Sequence, residues 1–322
     1  MVTAIIETRG LRKSFSSRAG REKKIVEAVR GVDLAVHEGE IFGFLGPNGA
    51  GKTTTLRMLA TLIEPDGGTA TIAGADLRKR PGEVRRRIGY VAQGGSTWEE
   101  VTAREELVLH ARMYGIRKAD AQARAARALE AFQLTEFADR KCKTYSGGQR
   151  RRVAIALGII HEPRVVFLDE PTTGLDPQSR VHMWDEIRRL RAEGMTVFLT
   201  THYLDEADAL CDRIAIMDNG LIVAEGTPEE LKREISGDVV TVGLNGSTPE
   251  AANLLDGEPY VHKIETVDGG ILRLYVDSGA TAIPLILRTL DGAGVKLGSI
   301  ELHRPSLDDV FLEKTGRSLR ES

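Results

Sequence analysis

The stretch Gly46-Pro47-Asn48-Gly49-Ala50-Gly51-Lys52-Thr53-Thr54 decides how this chain is read. It follows the apolar run Ile41-Phe42-Gly43-Phe44-Leu45 and precedes Leu56-Arg57-Met58-Leu59-Ala60-Thr61-Leu62, whose apolar positions recur at helical spacing. A buried strand, a glycine-rich turn and a helix start, in that order, make a phosphate site. The glycines let backbone N–H groups point inward, and the first helical turn adds unpaired amides and the positive end of its dipole. In such a loop Lys52 reaches the β- and γ-phosphates and the Thr53 hydroxyl ligates Mg²⁺. The pattern predicts nucleotide binding.

Composition sets the frame. The chain has 322 residues, enough for two domains, with 41% hydrophobic and 28% charged residues. A net charge of -3 supplies no basic field for nucleic acid. The two cysteines, Cys142 and Cys211, form no CxxC, which predicts a reducing compartment. The opening Met1-Val2-Thr3-Ala4 has no basic region ahead of an apolar core, so no signal peptide is expected. No apolar run approaches the roughly 18 residues of a membrane span. If a solute crosses a bilayer, another chain makes the path.

Upstream of the loop, residues 3–15 read as a strand and 16–24 as an exposed hairpin loop; Ile25–Val29 and Val32–Val36 read as second and third strands. Phe15 either stacks on a purine or caps the core at a strand end. Downstream, Pro65-Asp66-Gly67-Gly68 is a turn. Thr69–Ile72 and Ile88–Val91 read as short strands around a basic helix, Glu83–Arg87, and Gln93 is followed by Gly94-Gly95-Ser96. From Thr102 to Phe132 the chain is rich in Ala, Arg and Leu, broken near Gly115, and without strand signal. It reads as a helical subdomain inserted into an α/β core.

That block closes on Tyr145-Ser146-Gly147-Gly148-Gln149-Arg150, ahead of an apolar-faced helix from Arg151 to Ile160. Ser146 stands where an N-cap stands. Its hydroxyl, the Gly147 and Gly148 amides and the helix dipole make either a second anion site or an ordinary capped helix. Val165-Val166-Phe167-Leu168-Asp169-Glu170 is a buried strand ending in two carboxylates, at the edge where open α/β sheets bind ligands. There one carboxylate can hold Mg²⁺ through its water and its neighbour can orient a nucleophilic water; solvated acids at a strand stop are the alternative. Thr172 to Pro177 leads into a helix over Ser179–Glu193, and Met195–Thr200 is another buried strand. His202, just past its end, is either structural or part of the same sheet edge as Asp169 and Glu170.

Glu206–Leu210 reads as helix, Ile214–Met217 and Leu221–Ala224 as strands around the hairpin turn Asn219-Gly220, and Thr227-Pro228-Glu229-Glu230 as a capping box. Beyond about Ser236 the composition shifts. Strand, helix, strand, a turn at Asp268-Gly269-Gly270, strand, helix, strand and a last helix at Leu307–Lys314 give a small α+β module of ferredoxin-like order.

The motifs GPNGAGKTT, Gln93, YSGGQRRR, VVFLDEP, GLD and TTH, in that order, resemble those of the ATP-binding subunits of ABC transporters, across residues 1–235. The tail from His303 to Leu312 resembles the C-terminal module of daunorubicin-resistance-type exporters. The resemblance implies an α/β P-loop NTPase core over 1–235, with a helical subdomain at about 97–163, and an α+β accessory domain over 236–322. It implies that Phe15 stacks on adenine, and that Gly46, Pro47, Asn48, Gly49, Ala50, Gly51, Lys52, Thr53 and Thr54 cradle the phosphates. Ser146, Gly147, Gly148 and Gln149 would act in trans on the γ-phosphate held by a second copy, and Asp176 would communicate across that dimer. Asp169, Thr53 and Gln93 would serve the Mg²⁺ shell, Glu170 would polarise the attacking water, and His202 would contact the γ-phosphate. Tyr145 stands where many members have Leu, ahead of the contacting residues. ATP and Mg²⁺ are the implied cofactors. The implied partners are a second copy and an integral membrane permease on a separate chain, at the cytoplasmic face of the membrane, exporting a lipophilic drug, antibiotic or lipid. The groove near Ser96 to Glu100 would take a short helix of that permease with Trp98 as anchor, unless Trp98 packs inside the helical subdomain. A soluble ABC-type ATPase acting on nucleic acid or ribosomes is the competing reading; the lack of a basic stripe and the single motif set stand against it.

Overall fold

The computed structural model describes all residues except 1–3, 20–21, 96, 236, 245–247, 268–269, 304, 318 and 320–322. The chain begins with two long antiparallel strands, β1 (Ala4–Ala19) and β2 (Glu22–His37). Their pairing continues through Phe15↔Val26, Ser16↔Ile25 and Ala19↔Glu22. The described part of segment 16–24 is therefore strand, not the expected loop. The strands expected at Ile25–Val29 and Val32–Val36 are one strand running through Gly31. Backbone pairing is indifferent to side-chain polarity, so the hairpin outruns its apolar face, and register shifts carry it past irregular points. The tip of the expected loop, 20–21, lies outside the described residues, as do Ser96 and the turn residues Asp268 and Gly269.

Strand β3 (Ile41–Leu45), wholly buried, feeds the glycine turn and α1 (Lys52–Leu59). Then come β4 (Gly67–Ile72), β5 (Ala75–Asp76), α2 (Pro81–Arg87) and β6 (Ile88–Val91). Helices α3 (Ala103–Met113), α4 (Lys118–Ala131) and α5 (Gly147–Ile159) form the expected insertion. The core resumes with β7 (Val165–Asp169), α6 (Pro177–Ala192), β8 (Thr196–Thr201), α7 (Leu204–Leu210), β9 (Arg213–Asp218) and β10 (Leu221–Gly226). One sheet is antiparallel, in the order β2-β1-β4-β5; the other runs β10-β9-β3-β8-β7-β6. In the second sheet all neighbours are parallel except β10 on β9.

The central strands are apolar on both faces because both faces are covered. A continuous core joins the two sheets through Leu11, Val36, Phe44, Leu56, Phe167 and Phe198. Phe198 is its hub, with ring centroids 4.9 Å from Phe44, 5.5 Å from Phe42 and 5.6 Å from Phe167.

The chain divides into two compact units after Thr227. The second holds α8 (Pro228–Ile235), β11 (Asp238–Leu244), α9 (Thr248–Leu255), β12 (Val261–Val267), β13 (Ile271–Val276), α10 (Gly279–Gly292), β14 (Leu297–His303) and α11 (Leu307–Thr315). Its antiparallel sheet runs β12-β13-β11-β14, which is the ferredoxin-like arrangement. Its core is Val240, Val242, Leu272, Leu274, Ala282 and Ile286. Helix α8 packs against α11, whose start carries a capping box of Ser306 and Asp309.

Removing the hub ring tests the core. Phe198→Ala is expected to destabilise the first unit by about 3–5 kcal/mol, read as a lower urea midpoint against the parent protein.

Candidate active site

The glycine turn is shaped by what surrounds it. Gly51 has φ 104°, and a Cβ there would lie 2.4 Å from the Ala28 carbonyl oxygen. A side chain is barred by both backbone conformation and space. The turn at Asn219-Gly220 braces the loop: the Gly220 amide donates to the Ala50 carbonyl at 2.9 Å, and the Arg30 amide donates to the Gly220 carbonyl at 2.8 Å. Lys52, 4% exposed, donates its Nζ to the carbonyls of Gly46 at 2.6 Å and Pro47 at 3.0 Å. Burial lowers its pKa, while Glu170 and Asp169 pull the other way.

Register brings the carboxylates to the loop. Asp169 pairs with Thr200, and Leu45 with Thr201, so β3, β7 and β8 end on one edge of the sheet. Thr53 Oγ1 donates to Asp169 Oδ1 at 2.9 Å and Thr200 Oγ1 to the same oxygen at 2.7 Å. Asp169 Oδ2 is buried with no hydrogen-bond partner among the described residues. Glu170 is a non-glycine residue at φ 46°, a strained conformation costing about 1 kcal/mol or more. Its amide donates to Thr200 Oγ1 at 3.0 Å. Its Oε2 accepts from Gln93 Nε2 at 2.8 Å and Thr173 Oγ1 at 3.0 Å. His202 Nδ1 lies 3.3 Å from Glu170 Oε1 without hydrogen-bond alignment.

A cleft of about 710 Å³ gathers Phe15, the loop from Pro47 to Thr54, Gln93 and Glu170. Phe15 is 44% exposed at its mouth, so it does not close the core. Gly46 contributes through its carbonyl on Lys52. The residues Ser146, Gly147, Gly148 and Gln149, and Asp176, do not line this cleft. Ser146 caps α5 in a box with Gln149, accepting from its amide at 3.2 Å. Asp176 caps α6, accepting from the Ser179 amide at 2.9 Å and hydroxyl at 2.6 Å. Gly148 and Ser179 are neighbours: a Cβ on the glycine would sit 3.3 Å from the serine Oγ. Tyr145 is buried and donates its hydroxyl to the Phe137 carbonyl, which anchors the turn ahead of Ser146.

Sequence reasoning missed five contributors. Ile25 and Val26, both exposed, and Asn219 line the cleft; the first two were read only as the start of a strand and Asn219 only as a turn residue. Thr200 was legible only as a strand residue. Arg151 was hidden in the run Arg150-Arg151-Arg152, yet helical phase puts it with buried Ala154, Ile155 and Gly158. Trp98 is 58% exposed, so it does not pack inside the helical insertion. It borders a second cavity, of about 230 Å³, with Glu106, Leu109, His110 and Met113.

The family described as "ABC transporter" matches residues 29–173, and the family described as "ATP-binding protein DrrA1-3-like, C-terminal domain" matches 226–315. The chain is 46% identical over 295 residues to the daunorubicin resistance ATP-binding protein DrrA2 of Streptomyces coeruleorubidus, covering 90% of each chain. It is 42% identical over 311 residues to the doxorubicin resistance ATP-binding protein DrrA of Mycobacterium tuberculosis, covering 95% of this chain and 92% of that one. It is 38% identical over 323 residues to the Nod factor export ATP-binding protein I of Burkholderia lata, covering 100% of both. Among solved structures, a dimeric ATP-binding cassette in a post-hydrolysis state bound to ADP and Pi is similar at a TM-score of 0.62 and 28% identity. The match covers 69% of this chain and 98% of that one.

Gly51→Ala tests the loop geometry. The substitution is expected to weaken ATP binding at least about tenfold and to cost about 1–3 kcal/mol of stability, measured by titration with a fluorescent ATP analogue and by urea unfolding.

Proposed function

The chain belongs to the ATP-binding subunits of ABC transporters, of the daunorubicin-resistance type, and from that premise we propose that it drives export of a lipophilic drug, antibiotic or lipid through a separate membrane subunit. The named relatives act in drug resistance and export, which supports this reading over a soluble ATPase working on nucleic acid or ribosomes. The observation that carries the mechanism is the division of the site. The cleft holds the phosphate loop, Gln93 and Glu170, while Ser146 to Gln149 stand outside it.

In this reading ATP enters with its base on Phe15 and its phosphates on the amides from Pro47 to Thr54. Lys52 turns from two neutral carbonyls to the β- and γ-phosphate oxygens, since hydrogen bonds between charged partners are roughly twice as strong as neutral ones. Glu170, aimed by Gln93 and Thr173, takes the proton of the attacking water, and His202 supports the γ-phosphate. The protein also fits Mg²⁺: an unpaired buried Asp169 Oδ2 beside the Thr53 hydroxyl is a hard-oxygen donor set. Thr53 and Gln93 would hold the ion directly and Asp169 through water. Bound there, it would neutralise charge on the β- and γ-phosphates.

Each chain then supplies half of two sites, in a head-to-tail homodimer. The first amides of α5 find their anion only on a γ-phosphate held by the second copy, so ATP closes the dimer and hydrolysis releases it. Asp176, at the start of α6 and beside the Gly148–Ser179 contact, lies where the second copy would be sensed. No helix among the described residues is long and apolar enough to cross a membrane. In this reading the protein works at the cytoplasmic face by docking on its permease. The cavity bordered by Trp98, with exposed Leu109 and Met113 beside it, supports a short apolar-faced permease helix as the occupant.

Glu170→Gln is expected to keep ATP affinity, trap an ATP-bound dimer on gel filtration and lower turnover by at least about a hundredfold. Turnover at the parent rate removes Glu170 from the role of base. Trp98→Ala is expected to lower permease-stimulated ATPase activity several-fold more than activity without permease; equal losses in the two assays remove the docking site.

A further inference from the structure

The middle arginine of Arg150-Arg151-Arg152 is 4% exposed and uses its guanidinium entirely on backbone. Its Nε donates to the Pro171 carbonyl at 2.8 Å, and its Nη1 to the Ala92 carbonyl at 2.6 Å. Its Nη2 donates to the carbonyls of Asp169 and Glu170, each at 3.0 Å. Ala92 immediately precedes Gln93, so one side chain grips the entry to the Gln93 loop and the whole turn that carries the two carboxylates. Burial pushes its pKa down to about 10, against the pull of Asp169 and Glu206, so it stays charged at neutral pH.

We propose that Arg151 is a positioning residue for ATP hydrolysis, coupling the start of α5 to Gln93 and Glu170. It stands two residues past Gln149, at the start of the second turn of the helix whose N-terminus meets the nucleotide of the second copy. A small rotation of α5, when that N-terminus gains its anion, moves the Ala92 and Glu170 carbonyls through the guanidinium. Glu170 is held at both ends of its strained residue: Thr200 takes its amide and Arg151 its carbonyl. Four acceptors converging on one planar fork need arginine geometry. Lysine is a point charge that reaches one or two of them. The side chain leaves α5 to bind two other segments, Ala92 just past β6 and the turn from Asp169 to Pro171.

The proposal rests on the assignment of Glu170 as base, so the two are tested apart. In the full-length protein, Arg151→Lys and Arg151→Gln are compared with the parent for ATP affinity, by a fluorescent ATP analogue, and for kcat and KM. Thermal unfolding is followed in the same samples. Positioning predicts ATP affinity within about threefold and kcat lowered about tenfold to a hundredfold, with lysine retaining more than glutamine. It also predicts that Arg151→Lys adds little further loss on top of Gln93→Ala, because both act through one contact. Parent kcat in either folded variant overturns it. So does a loss of kcat that multiplies independently with Gln93→Ala, or a parallel fall of ATP affinity and unfolding temperature in both variants, which marks Arg151 as structural only. Parent turnover in Glu170→Gln, by contrast, removes the base assignment whatever the Arg151 variants do.

Discussion

The in-register parallel pairing of β3, β8 and β7 is the constraint on which the rest depends. Side chains alternate across a strand, so a slip of one residue at Asp169↔Thr200 would turn Asp169 away from Thr53 and into the opposite face. With the register as it is, the phosphate loop, both carboxylates and His202 follow the C-terminal ends of neighbouring strands. The aromatic cluster on Phe198 fixes that register from inside the sheet, because Phe42, Phe44 and Phe167 meet it from the flanking strands. Packing in the core and placement of the chemistry are thus one problem solved once.

Two buried cations stand in this site, and neither is matched by a carboxylate in direct contact. Lys52 sits on the carbonyls of Gly46 and Pro47, and Arg151 on those of Ala92, Asp169, Glu170 and Pro171. Had either closed a tight ion pair with Asp169 or Glu170, ligand oxygens would compete with a buried salt bridge, whose rupture costs about 3–5 kcal/mol. Neutral carbonyls are easier to displace from Lys52. The carboxylates keep capacity for ligand: Asp169 Oδ2 is buried with no hydrogen-bond partner among the described residues.

What could be read in the sequence was what local backbone chemistry dictates. Gly46 to Thr54 announces itself because glycine is required where the turn presses on other backbone, Gly46 on the Met217 carbonyl and Gly51 on that of Ala28. Asp169 and Glu170 do so because acids closing an apolar strand mark an edge. The ferredoxin-like module was legible as element order, and β11 and β13 alternate buried and less buried positions as half-buried strands do. The long β1–β2 hairpin was not, because its outer part is built by backbone hydrogen bonds between polar residues, and no apolar period marks it. Arg151 was invisible for a different reason. Three consecutive arginines look solvated, and only the phase of α5 against β6 and β7, a tertiary fact, selects the middle one for burial.

The exposed start of α5 completes the logic. Ser146 and Gln149 close a capping box on each other, yet the amides of Gly147 and Gly148 occupy the first two helical positions, where no intrahelical acceptor exists. Such a terminus suits an anion, and its own chain places the phosphate loop in a cleft that these residues do not line. In the proposed dimer, a site so divided binds nucleotide in one chain and reads it with the other. It therefore converts the presence of a single γ-phosphate into a difference in subunit contact, the only quantity a ligand can use to shift a conformational equilibrium.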